Sequence, residues 1–300
     1  MTGAREDFDE ALRSFVEREG LPLGFHDLAR TQYVRLADAL SARRSKGGPL
    51  VVGVCGAQGS GKSTLSDVLA LRWRTQGLSC AVVSLDDLYL PREAREALAG
   101  EVHPLLRLRG PPGTHDVKLG LELFATLRRA GPDSRVALPR FDKASDTRRP
   151  VYGWDVHRGK ADIILFEGWC MGARPEGAEA LVAPVNALEA NEDIDGVWRR
   201  FANDALAGPY QTLFGQIDVL VLLAVPDFDS VLRWRLLQER KLRARLERDG
   251  TKGGMSDEEV RRFVGVYERL TRHILAEMPA RADMLMTLDC GHDVISVTGF

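Results

Sequence analysis

Residues 56 to 63, Gly-Ala-Gln-Gly-Ser-Gly-Lys-Ser, fit the pattern G-x-x-x-x-G-K-[ST]. In such a segment the glycines let the backbone bend until successive N–H groups face phosphate oxygens, and the positive end of the following helix adds to that field. Gly56, Ala57, Gln58, Gly59, Ser60, Gly61, Lys62, Ser63 and Thr64 are therefore the candidate triphosphate cradle. Within it the Lys62 ammonium reaches the β- and γ-phosphates and the Ser63 hydroxyl holds Mg²⁺. The chemistry indicated is use of ATP with Mg²⁺, and the open question is what accepts the phosphoryl group.

Two acidic sites bear on that question. Asp86 and Asp87, in Ser84-Leu-Asp-Asp-Leu-Tyr89, are adjacent carboxylates with an aromatic neighbour. A hydroxyl acceptor must lose its proton as the γ-phosphoryl arrives, and an Asp within hydrogen-bond reach takes it. A short polar residue in this position also caps helices, so one carboxylate can cap while the other catalyses. Glu167, at the end of Leu165-Phe-Glu-Gly-Trp169, stands where the second acidic motif of phosphate-loop enzymes acts on Mg²⁺, directly or through water.

Between the acids lie many cations. Arg107, Arg109, His115 and Asp116 fall in one loop, Arg140 and Lys143 in a second, and Arg148-Arg149 follow. Arg pairs bidentately with carboxylate, Lys acts as a point charge, and neutral His donates one hydrogen bond, so the density points to a small anionic, hydroxyl-bearing acceptor. For any single residue, solvated surface charge is the competing use, and Asp116 can cap the helix that begins there. A second basic run, Arg233 to Arg248, reads as a helix ending in the glycine-rich stop 249–254, after which Ser256-Asp-Glu-Glu259 forms a capping box. Helix, loop and helix make a lid over 227–255, from which Arg235 or Arg240 meets the transferring group.

Positioning these groups requires strands that end beside them. Apolar runs at Leu50–Cys55, Cys80–Ser84, Ala161–Phe166 and Ile217–Leu223 read as buried strands, Arg135–Leu138 as a short one and Met284–Leu288 as an edge strand. Helical patterns fall between them at Asp116–Arg129, Asn186–Leu206, Asp227–Glu247 and Ser256–Glu277. This alternation predicts an α/β fold with a mostly parallel five-stranded sheet, helices on both faces, and ligands beyond the carboxyl ends of the strands. Two amphipathic helices within residues 1–46, carrying Phe8, Leu12 and Phe15, then Leu28, Tyr33, Leu36 and Leu40, form an extension over that core. One elaborated domain accounts for the 300 residues, of which 44% are hydrophobic.

Composition excludes other classes. A net charge of −2 leaves a nucleic-acid partner without electrostatic support. No apolar run approaches the length of a membrane span, and the acidic opening Met1 to Glu10 is unlike a signal peptide. Cys55, Cys80, Cys170 and Cys290 are far apart, which fits reduced thiols in a cytoplasmic protein. Oligomeric state is not legible.

The chain resembles the phosphoribulokinase, uridine kinase and pantothenate kinase superfamily, and within it D-glycerate 3-kinases of the plant and fungal type. The likeness rests on Ser84 to Leu90, Arg109 to Asp116, Pro139 to Lys143, Leu165 to Gly172, Trp234-Arg235-Leu236 and Gly254 to Glu259. It departs from the family's usual residues at Leu88, Pro111-Pro112 and Phe141. What the resemblance implies is transfer of the ATP γ-phosphoryl to a hydroxyl of D-glycerate, giving 3-phosphoglycerate. Asp86 then matches the proposed base, and His115, Asp116 and Lys143 match segments near the acceptor. A kinase of another small alcohol, pantothenate-like or sugar, keeps the same machinery; a nucleotide-gated binding protein keeps only the cradle.

Overall fold

The computed structural model describes residues 7–22, 24–45, 47–248, 251 and 253–299. The opening residues 1–6 and part of the stop at 249–254, namely 249, 250 and 252, lie outside the described residues. Six strands make the central sheet: β1 Leu50–Gly56, β2 Cys80–Ser84, β3 Ile163–Gly168, β4 Val219–Ala224, β5 Met284–Leu288 and β6 Val294–Thr298. Their order is β6-β5-β4-β1-β3-β2, parallel throughout except for β6. β1 lies mid-sheet and is buried on both faces, as its unbroken apolar run requires. Val51 and Cys55 face one hydrophobic cluster and Val52 and Val54 the other, the period of two expected of a strand.

The second cluster takes in the phosphate-loop helix Lys62–Thr75 and the N-terminal helices Phe8–Glu19 and Val34–Ala42. Trp73 donates its indole N–H to the Ala37 carbonyl at 2.9 Å, and Arg72 grips Asp38 with two hydrogen bonds of 3.0 Å. The opposite face is covered by helix Val117–Arg129, where Phe124 meets Phe166 edge-on. A third cluster joins Ala57 of the phosphate loop to Val231, Trp234 and Val264 of the helices Phe228–Arg248 and Asp257–Glu277.

Four expectations change. Arg135–Leu138 is a strand, but it pairs antiparallel with Asp155–Arg158 outside the central sheet. The intervening residues 139–154 fold straight back through the small hairpin Phe141–Asp142 with Thr147–Arg148 and hold no α-helix to make the crossover a parallel neighbour needs. Met284–Leu288 completes the set of five parallel strands and is interior, because β6 pairs beyond it. β3 both starts and ends two residues later than the apolar run suggests, so Glu167 lies within the strand, in register with Val54 and Ser84. The helix expected over Asn186–Leu206 is two, Ala187–Glu192 and Val197–Ala205. Gly196 adopts φ 68° between them, and the Asp193 carboxylate takes the Trp198 N–H at 2.8 Å to start the second.

Candidate active site

The phosphate loop leaves β1 at Gly56 and enters its helix at Lys62, with Gly59 and Gly61 at φ 78° and 85°. Only glycine holds those angles without strain. Lys62 is largely covered and lies 3.8 Å from Glu167 Oε2. That oxygen, like Gln58 Oε1 and Ser60 Oγ, is buried without a hydrogen-bond partner. Burial pushes the Glu167 carboxyl up, and Lys62 with a hydrogen bond from Ser84 opposes the shift only in part. On the far side of the loop, His292 from the β5–β6 turn packs at a tilt against Trp234, centroids 3.7 Å apart.

β2 delivers Asp86 to the same cleft. A single 3-10 turn over Leu85–Leu88, capped by Ser84, points the two acids in different directions. Asp86 accepts hydrogen bonds from Lys143 Nζ at 2.7 Å and from the Tyr89 hydroxyl at 3.0 Å. Burial would raise its pKa, but the charges of Lys143 and Lys62 and these two bonds more than offset that, holding it below the usual carboxylate range. Asp87 turns away and accepts from Arg140 at 2.8 Å and from the Phe141 N–H at 2.9 Å, so it anchors the small hairpin. Burial, partly offset by those bonds, leaves its pKa raised.

Around the acids the aromatic packing is tight. Tyr89 stacks on His115 at 4.5 Å and meets Phe141 edge-on at 5.3 Å. His115 is buried, with Nδ1 2.6 Å from the Tyr210 hydroxyl and Nε2 unpartnered. Burial pulls its pKa down to about 3, so it is neutral at working pH. Asp116 caps helix Val117–Arg129 through the Leu119 N–H at 3.0 Å and pairs with Arg148 at 3.2 Å.

The cleft enclosed by these groups has a volume of about 650 Å³. Lys62, Asp86, Tyr89, Arg109, Lys143 and Arg235 line it, so these expected residues are brought together. Gly110, at φ 132°, lets the loop run close to Tyr267, whose hydroxyl donates to the Arg109 carbonyl at 3.2 Å. Arg109 itself pairs with Asp146 and lies over Phe141. Arg235 is held by Glu239 at 2.8 Å. Other expected residues stay outside the lining. Arg107 is exposed, Arg140 is tied to Asp87 and Asp155, Asp116 and His115 sit behind the cleft wall, and Arg240 turns to Asp257.

Sequence reasoning missed Gln238, Lys241 and Arg245, which line the cleft beside Arg235. Their spacing was the available signal, since Arg235, Gln238, Leu242 and Arg245 recur at helical intervals and Arg240 does not. Trp169 and Tyr267, also lining residues, meet edge-on at 4.9 Å. Tyr267 had no local signal, because its helix Asp257–Glu277 follows Asp86 and the phosphate loop at long range in the chain and only the fold brings them together.

A phosphate loop on the central strand, a strand-end aspartate facing it and a cation-rich helix across the cleft define a P-loop phosphotransferase with an alcohol group as acceptor. The chain is 36% identical over 235 residues to the uncharacterized kinase mug58 of Schizosaccharomyces pombe, covering 75% of this chain and 80% of that one. It is 32% identical over 246 residues to the chloroplastic D-glycerate 3-kinase of Arabidopsis thaliana, covering 78% of this chain and 50% of the plant enzyme. Among solved structures, D-glycerate 3-kinase from Cryptococcus neoformans var. grubii superposes with a TM-score of 0.70 at 27% identity, over 89% of this chain and 97% of that one. No family model matches. The chain belongs to the D-glycerate 3-kinase family of P-loop kinases.

Proposed function

We propose that this chain transfers the γ-phosphoryl of ATP to the primary hydroxyl of D-glycerate, giving 3-phosphoglycerate and ADP. The observation that carries the reading is the placement of an ionised, buried-side carboxylate, Asp86, between the phosphate-loop cation Lys62 and the acceptor-side cations Lys143 and Arg109 in one cleft. The hydroxyl oxygen attacks the γ-phosphorus, its proton passes to Asp86, and the bond to the β-phosphate oxygen breaks. Lys62 meets the β- and γ-oxygens, the Gly56–Thr64 backbone holds the phosphates, and Arg109 with Lys143 takes the glycerate carboxylate. Arg235, Lys241 and Arg245 on the lid over 227–255 face the triphosphate side and exclude water when it closes. Arg240 has no part in this arrangement.

Ser63 and Glu167 are the residues that would hold Mg²⁺. The donor set fits, since Glu167 presents a buried oxygen with no hydrogen-bond partner beside Lys62 and Ser63 opens the helix. When bound, the ion offsets charge on the phosphate oxygens. A reducing, cytoplasmic setting belongs to the same reading, supported by four free thiols of which two are in the core; no described helix is long and apolar enough to cross a membrane.

The test is ADP release with MgATP and D-glycerate, L-glycerate, glycerol or pantothenate, followed by phosphorus NMR of the product. D-glycerate should turn over fastest and carry phosphate on its primary hydroxyl. Faster turnover of pantothenate or a neutral alcohol would move the acceptor assignment, and slow release indifferent to the panel would make the protein a nucleotide switch.

A further inference from the structure

Both oxygens of Asp86 are engaged. The Tyr89 hydroxyl donates to Oδ1 at 3.0 Å and the Lys143 ammonium to Oδ2 at 2.7 Å. Each oxygen keeps a further lone pair, but an ammonium held on the carboxylate makes it a poorer proton acceptor and crowds its approach, so Asp86 takes a proton from a hydroxyl more readily once a partner has moved away. The two are not equally mobile. Tyr89 is 3% exposed and wedged between His115 and Phe141. The Lys143 side chain is 61% exposed, on the turn of the hairpin, and Asp86 is its ion-pair partner. The turn beneath it is firm: Asp142 accepts from the Ala144 N–H at 3.1 Å and from the Ser145 hydroxyl at 2.7 Å. Only the flexible stem of Lys143 needs to move.

An ion pair with one partner largely in water is weak enough to exchange. A neutral alcohol or water offers the ammonium nothing in return for Asp86, whereas a carboxylate does. Arg109 also lines the cleft, and its pairing with Asp146 holds it in place to receive the other side of such an anion. We propose that Lys143 is a specificity gate: while it sits on Oδ2 it shields the base, and only an acceptor carrying an anionic group draws it off and exposes Asp86 for proton transfer. The inference rests on the hydroxy-acid kinase reading and deepens it. Selectivity against glycerol and against water then has two parts, lost binding of the carboxylate and a base that stays covered.

The gate makes a prediction of opposite sign to simple substrate binding. In Lys143→Met, kcat/KM for D-glycerate should fall at least about ten-fold, as for loss of a charged substrate contact. For glycerol, and for acceptor-free ADP release, rates should instead rise about three-fold or more because the base is uncovered. Lys143→Arg, which keeps the charge, should retain the discrimination. If glycerol turnover and acceptor-free ADP release stay level or fall in Lys143→Met, the gate is wrong and Lys143 only binds substrate. Should the parent enzyme phosphorylate neither glycerate, the acceptor assignment fails by itself. Acceptor-free ADP release still decides the gate, a rise in Lys143→Met supporting it and no rise overturning it.

Discussion

Asp86 and Asp87 are neighbours of the same type, and the fold gives them opposite work. Asp86 faces the cleft with its pKa held down, whereas Asp87 is occupied by Arg140 and the Phe141 N–H. Asp86→Asn keeps size but cannot take a proton, so kcat should fall by at least about two orders of magnitude with little change in affinity for ATP. Asp87→Asn loses a charged anchor of the hairpin that carries Lys143, and should cost about 1–3 kcal/mol of stability while raising KM for the acceptor more than it lowers kcat. Steady-state kinetics paired with denaturant melts separate the two. If the kcat loss followed Asp87 instead, the base would have to be reassigned. The pair was legible as chemistry from its strand-end position, but nothing in Leu-Asp-Asp-Leu says which carboxylate faces the cleft; a single 3-10 turn decides that.

At the scale of an element, helix Phe228–Arg248 shows how one helix sorts its cations. Arg235, Lys241 and Arg245 line the cleft, while Arg240 lies on Asp257 of the next helix with 58% of its side chain exposed. In the proposed mechanism Arg235 meets developing charge on the γ-phosphoryl, and removing its charge should slow that step by about 10²-fold or more. Arg240→Ala breaks a solvent-screened surface ion pair that contributes little, so its kcat should stay near that of the parent. Single-turnover phosphoryl transfer in the two variants checks this, and equal losses would show that the helix closes in a different rotation. The basic run, its helical period and the Ser256 capping box were readable in the sequence, and the box is present, with Ser256 and Glu259 exchanging bonds of 3.2 and 2.7 Å. Which arginine turns inward depends on where Trp234 and Val231 pack against the phosphate loop.

For the whole molecule, the buried aromatic wall behind the base couples stability to pH. His115 is kept neutral, its pKa pulled by burial from 6.5 to about 3. The unfolded chain therefore binds a proton below pH 6.5 that the native state refuses until about pH 3. Its contribution to stability is full above that upper value and declines as pH falls, by about 1.4 kcal/mol per pH unit over the window. His157 and His292, also shifted down, act in the same direction. Thermal melts between pH 7 and pH 5 should show Tm dropping with acidity in the parent and a shallower drop in His115→Gln. An identical slope in both would mean that His115 is protonated in the folded protein.

The cradle, the strand-turn-helix order, four of the five expected strands of the sheet and the carboxylates beside them follow from local pattern, because apolar runs, glycine turns and capping residues act over a few positions. The sequence by itself thereby determined a P-loop kinase fold, and its cations made an anionic acceptor the expectation. Tertiary structure alone decided that Arg135–Leu138 leaves the sheet, that β6 closes its edge, and that Tyr267 and Trp169 wall a cleft shared with Asp86. It also decided that Arg140, Asp116 and Arg240 spend their charge on internal pairs while Arg109, Lys143, Lys241 and Arg245 face the cleft. Charge type is written in the chain, but a cation's partner is whichever carboxylate the packing brings within about 4 Å, and packing is a property of segments far apart in sequence.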